Sequence, residues 1–130
     1  MTEFKRNYYE ASNGKTYYTR SGWENNYCSY LDWLKTTGEI RDWEYEPLPR
    51  YEFIIKEGSV FRALSLGYLP DFKVINNDGS FYLVELKGRR QGMMKLKRMK
   101  KFYPKIKIEL IEQKDYNILK RKVGKMLNWD

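Results

Sequence analysis

The chain has 130 residues and a net charge of +8, with one cysteine and no histidine. We expect a single domain at this length, and 42% hydrophobic residues are enough for a folded core. The missing histidine excludes Ser-His-Asp triads, histidine general bases and Cys/His zinc sites, so any catalysis must use carboxylates, lysines, hydroxyls or a hard metal ion. Because the lone Cys28 has no disulfide partner and no segment approaches the ~18 apolar residues of a membrane span, we expect a cytoplasmic protein without a membrane segment.

The first half of the chain predicts a polar segment, one helix and three strands. Residues 1–19 contain two tyrosine pairs around an Asn-Gly turn signal, which is compatible with either a hairpin or a loose arm. Ser21 is the predicted N-cap of a helix, and Glu24 completes a capping box three residues later. This helix is expected to end near Gly38. The predicted strands cover residues 40–46, 51–55 and 60–64.

The second half predicts a strand hairpin, a basic helix, a further strand and a last helix. The hairpin covers residues 69–87, and the helix at 90–103 is expected to bury a methionine-rich stripe. A strand at 105–111 completes a βαβ unit with parallel strands, and Asp115 is expected to cap the last helix.

The predicted fold class is therefore α/β, with a mixed central β-sheet flanked by helices. Residues 1–130 are expected to form one domain, with its core in residues 20–111 and a C-terminal helix in 112–130.

Positive charge is concentrated in the second half. The first 65 residues carry 9 basic and 10 acidic side chains, whereas the other 65 carry 16 and 7. Such a surface attracts nucleic acid through counterion release, although a solvated cationic helix face would show the same pattern. The candidate nucleic-acid-binding residues are Arg20, Arg89, Arg90, Gln91, Lys95, Lys97, Arg98 and Lys101.

The register of the hairpin brings two carboxylates together. If it closes with a three-residue loop in which Gly79 is left-handed, Asp71 lies opposite Glu85 and both point to one face. Lys87, two residues beyond Glu85, points the same way. A five-residue loop gives the same register, whereas a two-residue turn would separate the carboxylates.

Two opposed carboxylates repel each other unless a proton or cation intervenes. Lys73 and Lys87 could neutralise them in part, but a divalent ion would bridge both at once. Oxygen ligands favour Mg²⁺, with Mn²⁺ as a substitute, and such an ion can polarise a phosphodiester and activate a water. Lys87 could then orient that water or stabilise charge on the phosphate.

These residues carry a family resemblance. Tyr68-Leu69-Pro70-Asp71 followed by Val84-Glu85-Leu86-Lys87 resembles the motif of the PD-(D/E)XK, restriction-endonuclease-like nuclease superfamily. With Arg20-Ser21-Gly22-Trp23-Glu24 and Trp43-Glu44-Tyr45-Glu46-Pro47, the chain is similar over roughly residues 20–111 to the small phage-encoded, resolvase-like endonucleases of that superfamily.

The resemblance implies a restriction-endonuclease-like core and a metal-dependent DNA endonuclease. It implies that Lys87 serves the water nucleophile and that Gln91 is a polar helper. It also implies a homodimer that resolves branched DNA such as Holliday junctions, in a bacterial host cytoplasm if the gene is phage-borne. The residues it assigns to the metal are Asp71, Glu85, Leu86 through its carbonyl, and Glu24.

Other interpretations remain open at this stage. The capping box alone explains Glu24, Asp71 could simply begin a strand, and Lys87 could begin the basic run. The alternative functions are a general or flap-directed DNA nuclease, a non-catalytic nucleic-acid-binding protein on the same fold, and a host-interaction protein whose basic face binds an acidic partner.

Overall fold

A computed structural model describes residues 8–64, 67–86 and 90–129, and these residues form a mixed α/β fold. The strands are β1 (Tyr8–Glu10), β2 (Thr16–Tyr18), β3 (Asp42–Tyr45), β4 (Ile54–Glu57), β5 (Val60–Ala63), β6 (Phe72–Ile75), β7 (Phe81–Leu86) and β8 (Ile108–Ile111). The helices are α1 (Gly22–Thr36), α2 (Arg90–Phe102) and α3 (Gln113–Leu119), and a π-helical turn follows at Lys120–Gly124. None of the helices in these ranges has the length and apolar composition needed to cross a bilayer.

The main sheet has the strand order β3-β6-β7-β8. The first two pairings are antiparallel, and β7 pairs with β8 in parallel, Val84 opposite Glu109. Helix α2 connects these parallel strands, which confirms the predicted βαβ unit. Two separate hairpins, β1-β2 and β4-β5, complete the described sheets.

The segment before α1 is a hairpin rather than a loose arm. Its strands pair with Tyr9 opposite Tyr17, and both rings pack on Trp43. The buried carboxylate of Asp32 in α1 accepts hydrogen bonds from the Tyr9 hydroxyl, from the Ser12 amide and hydroxyl, and from the Trp43 indole. These four bonds tie the hairpin to the helix and the sheet. Residues 1–7 of the predicted segment lie outside the described residues.

The sheet is covered on both faces because its central strands alternate. Phe72, Val74 and Val84 are buried on the α1 face, together with residues of that helix such as Leu31. Leu83 is buried on the opposite face with Met99 of α2, and with Phe53 and Tyr68 from the loops beside β4 and β6. The two clusters leave β7 central, with both faces packed.

The structure corrects two helix predictions. The last helix is capped at Glu112, and Asp115 is its third residue, which accepts a hydrogen bond from the Glu112 amide at 3.1 Å. That helix ends at Leu119 and does not continue regularly through 112–130. On α2, Met99 is buried but Met93 and Met94 are exposed, because the helix packs on the sheet through its second half.

Candidate active site

The β6-β7 hairpin has the register that the sequence predicted. Phe72 pairs with Val84 and Ile75 with Phe81, and the loop between them contains Gly79 at φ 90°. The Asn76 amide donates to the Ser80 carbonyl at 2.8 Å and closes a three-residue loop, in which Gly79 adopts the left-handed conformation without strain. Asp71 directly precedes β6 and Glu85 lies in β7, so the same register continues into this pair of carboxylates.

A backbone hydrogen bond from β7 holds the Asp71 carboxylate. The Leu86 amide donates to Asp71 Oδ2 at 2.7 Å, and the backbone of Asp71 favours the ionised form of Glu85 by lowering its pKa. The Asp71 carboxylate is therefore fixed beside the strand that carries Glu85. The hairpin that sets their register also sets their orientation.

This arrangement raises the pKa of both carboxyl groups. Burial, followed by the negative charge of Glu85, raises the pKa of Asp71 to about 8, while the Leu86 amide opposes the rise. Burial also raises the pKa of Glu85, against the Tyr68 hydroxyl and the Lys95 charge, which lower it. A pair of this kind holds a proton at neutral pH or binds a cation in its place.

Tyr68 orients Glu85 through a hydrogen bond. Its side chain is only 2% exposed, and its hydroxyl donates to Glu85 Oε1 at 2.9 Å. Two backbone hydrogen bonds join Tyr68 to Tyr51, at 2.8 and 2.7 Å. Gly67 permits this close approach, because a Cβ there would lie 2.5 Å from the Tyr51 carbonyl oxygen and φ is +81°.

Glu24 lies at the start of α1 and faces the same cavity. The Ser21 hydroxyl accepts from the Glu24 amide at 3.2 Å, which confirms the predicted N-cap. The Glu24 carboxylate accepts from the Arg20 amide at 3.0 Å and from the Tyr45 hydroxyl at 2.5 Å. Glu24 therefore accepts a backbone hydrogen bond at the start of the helix and also lies in the site. In a standard capping box it would accept from the amide of the N-cap residue Ser21, but here it accepts from the Arg20 amide.

These residues surround a cavity of about 430 Å³. Helix α2 closes one side of it, since a Cβ on Gly92 would lie 3.5 Å from Glu85 Oε2. Leu86 also lines the cavity, as its predicted role requires. The charged lining residues are the acids Glu24, Glu46, Asp71 and Glu85 and the bases Arg20, Arg50 and Lys95.

The donor chemistry fits an oxygen-preferring divalent cation held by two carboxylates. Burial raises the pKa values of Asp71 and Glu85, the charge of Glu85 adds to the rise at Asp71, and a bound cation would favour the ionised form of both. Glu24 is engaged by Tyr45, and within residues 8–64, 67–86 and 90–129 no three acidic or cysteine side chains are grouped as ligands for one metal ion. The site therefore resembles a two-carboxylate centre, not a closed cage.

The predicted basic residues divide into three groups. Arg20 and Lys95 line the cavity. Outside it on α2, Lys97 and Lys101 are exposed, while Arg98 lies over the Phe53 ring at 6.0 Å. Lys87 and Arg89 lie outside the described residues, and for Arg90 and Gln91 only the backbone at the start of α2 is described.

Glu46, Arg50 and Tyr68 are site residues that the sequence did not identify as such. The signal for Glu46 is tertiary, because β3 pairs with β6 and the Glu46 amide donates to the Asp71 carbonyl at 2.8 Å. Opposed residues of an antiparallel pair point to one face, so this pairing places Glu46 beside Asp71. Glu46 also has a φ of 45°, which is uncommon for a residue other than glycine and occurs preferentially at functional sites.

Comparison with known proteins gives a family but no activity. No curated protein and no solved structure matches the chain. The model of one family, described as "Protein of unknown function (DUF1064)", matches residues 7–121. That match covers most of the 130 residues, including every carboxylate of the cavity, and the chain belongs to this family.

Proposed function

We propose that this protein is a metal-dependent endonuclease that hydrolyses phosphodiester bonds in DNA on a restriction-endonuclease-like core. One observation carries the proposal: Asp71 and Glu85 are fixed opposite each other in a cavity that basic side chains also line. Carboxylates can hold the metal while cations attract the phosphate, and a nuclease needs both. The resemblance to the PD-(D/E)XK motif adds the same roles for the same two residues.

Each residue has a distinct task in this proposal. Asp71 and Glu85, with the Leu86 carbonyl, would hold Mg²⁺ or Mn²⁺, which supplies Lewis acidity and an activated water when bound. Tyr68 keeps the Glu85 carboxylate oriented, because its hydroxyl donates to Oε1. Lys95 places a positive charge beside Glu85, where a phosphate would approach.

The remaining roles rest on the sequence. Glu24 is proposed as the further carboxylate, Lys87 as the residue that serves the water and Gln91 as a polar helper. The exposed Lys97 and Lys101, with Arg89, Arg90 and Arg98, would contact the DNA backbone.

Branched DNA is the proposed preferred substrate, on the resemblance alone. A C₂ homodimer would present two sites for paired cuts, and the proposed location is the cytoplasm, that of the bacterial host for a phage protein. A general or flap-directed nuclease differs in one measurable respect, because it would not cleave four-way junctions in preference to linear duplex.

A cleavage assay tests the proposed activity. The wild type, Asp71→Ala and Glu85→Ala are each incubated with single-stranded, duplex and four-way-junction DNA, with Mg²⁺, with Mn²⁺ and with EDTA. We expect cleavage that requires the metal and that both substitutions abolish. Activity that survives both substitutions would contradict the proposal, and tight binding without any cleavage would indicate a non-catalytic nucleic-acid-binding protein.

Tyr68→Phe separates orientation of Glu85 from packing. The ring remains in its buried position while Glu85 loses a hydrogen-bond donor that favours its ionised form. Loss of a group that orients a metal ligand lowers metal affinity about 10- to 100-fold. We therefore expect Mn²⁺ binding, measured by calorimetry, to weaken by about tenfold or more at neutral pH, and the pH profile of cleavage to shift upward.

Tyr51→Phe is the matched control for this variant. Tyr51 packs against the hydrophobic cluster that contains Tyr68, and its ring lies edge-on against Tyr103. Because the Tyr51 hydroxyl is not the group that donates to Glu85, its removal should leave Mn²⁺ affinity unchanged. Equal Mn²⁺ affinities for Tyr68→Phe and the wild type would show that the Tyr68 hydroxyl does not orient a metal ligand.

A further inference from the structure

Glu46 pairs with Arg20 in the wall of the cavity, which Arg50 also lines. Arg20 Nε is 3.3 Å from Glu46 Oε2, and the two side chains are 69% and 24% exposed. Arg50 is exposed and lines the same cavity. Burial is the largest influence on the pKa of Glu46 and raises it, whereas the charges of Arg20 and Arg50 lower it. Both guanidinium groups therefore act on one carboxylate.

The backbone directs this carboxylate into the cavity. Glu46 follows β3 directly, and its amide is held by the Asp71 carbonyl at 2.8 Å. Its left-handed conformation, with φ of 45°, is one that a non-glycine residue keeps only where its surroundings enforce it. The buried Pro47 follows immediately. The chain thus fixes an acidic side chain at a strained position beside two cations.

A guanidinium group binds carboxylates and phosphates with the same fork of N–H donors. The carboxylate that pairs with Arg20, in a cavity that Arg50 also lines, therefore occupies a place that suits a phosphate equally well. Two exposed arginines next to the Asp71–Glu85 pair also lie where a DNA backbone would pass if that pair cuts it.

We propose that Arg20 and Arg50 form a binding site for one backbone phosphate of the substrate, and that Glu46 occupies this site while no substrate is bound. Glu46 is then an internal competitor that the phosphate displaces. This inference rests on the proposed function for the identity of the ligand, and it deepens that proposal by assigning one phosphate contact to named residues. A purely structural ion pair would only hold the end of β3 to the loop before α1, and its removal would bring no gain in DNA affinity.

Glu46→Gln removes the competing charge and keeps the size of the side chain. We expect the variant to bind a short DNA duplex about two- to fivefold more tightly than the wild type, which is the range for release of one exposed ion pair. Fluorescence anisotropy in EDTA measures this binding without cleavage and without any metal at Asp71 and Glu85. The slope of log affinity against log salt should steepen by about one.

Asp42→Asn is the matched control. Asp42 begins β3, whereas Glu46 follows its end, and Asp42 pairs with Lys35 at 3.3 Å. The control therefore removes an equal charge from the opposite end of this strand, away from the cavity. The gain should be absent in this control. It should also disappear when Glu46→Gln is combined with Arg20→Gln and Arg50→Gln, because no arginine site is then left to release.

A second probe separates this inference from the proposed function. Inorganic pyrophosphate, titrated by calorimetry in EDTA, should bind Glu46→Gln more tightly than the wild type. A wild type that cleaves DNA while Glu46→Gln gains affinity for neither probe overturns the inference alone. An equal gain in Asp42→Asn, or a gain that persists without the two arginines, also overturns it. If no variant cleaves or binds DNA, the proposed function fails, and the pyrophosphate titration alone then decides whether the arginines form an anion site that Glu46 blocks.

Discussion

Asp71→Asn is expected to abolish DNA cleavage and, in the same protein, to raise the stability of the metal-free fold at neutral pH. The loss of activity should reach about a thousandfold or more, because a charged metal ligand supports several kcal/mol of catalysis and each ~1.4 kcal/mol corresponds to tenfold in rate. The gain in stability follows from the raised pKa of Asp71, which shows that the folded state disfavours the ionised form.

The sign of the pH dependence is fixed by the direction of that shift. An unfolded chain loses the Asp71 proton near the ordinary value of 3.8, whereas the folded protein keeps it until about pH 8. The folded state therefore holds more protons between these limits, and stability falls as the pH rises through this window. The Asn variant lacks this contribution, so its advantage should grow from acid to mildly alkaline pH and reach on the order of 4 kcal/mol near neutrality.

Urea unfolding of wild type and variant in EDTA, at about pH 5, 7 and 9, measures this difference. Asp78→Asn is the control on the same hairpin. The Asp78 pKa is lowered, chiefly by the Ser80 hydroxyl, so its amide variant should gain no stability as the pH rises. When Mg²⁺ replaces EDTA, the free energy of unfolding should rise for the wild type and not for Asp71→Asn. A stability difference between wild type and Asp71→Asn that is constant from acid to alkaline pH would contradict the assignment.

Local sequence was enough to predict the Asp71–Glu85 pair. The register depends on a short loop in which Gly79 adopts a left-handed conformation, and few loop lengths agree with that residue. The cap at Ser21 is equally local, since it depends on residues within one turn. These features were predictable because nearby residues alone decide them.

The rest of the site depends on contacts between distant segments. Glu46 reaches the cavity only because β3 pairs with β6, and the β4-β5 hairpin separates these two strands in the sequence. Hydrophobic periodicity gives no information on which strands become neighbours. The exposed Met93 and Met94 show the same limit, since periodicity predicts an apolar face but not how far a sheet extends beneath it.

The hydrogen bonds of Asp32 were also outside the reach of pattern analysis. Periodicity places Asp32 on α1, but its four donors come from the N-terminal hairpin and from β3. A buried acid within an otherwise apolar cluster is stable only when such donors surround it, which makes it a sensitive position for mutation.

Asp32→Ala is therefore expected to be strongly destabilising, although Asp32 lies outside the cavity. The side chain is 8% exposed, and its removal leaves the Trp43 indole N–H and three donors of the N-terminal hairpin without their acceptor. Each buried donor left unpaired costs about 1–3 kcal/mol, and partial solvation of the hairpin lowers the total, so we expect a loss of about 3–5 kcal/mol. Urea unfolding followed by tryptophan fluorescence measures this loss.

Glu10→Ala is the matched control, because it removes an exposed carboxylate from the same hairpin and should change stability by less than about 0.5 kcal/mol. Amide hydrogen exchange adds a local readout. The backbone hydrogen bonds between β1 and β2 should lose protection in Asp32→Ala well before those of β6 and β7, since the Asp32 carboxylate is what ties the N-terminal hairpin to α1. An Asp32→Ala protein as stable as Glu10→Ala, with β1 and β2 still protected, would show that aromatic packing on Trp43 holds the hairpin without the carboxylate.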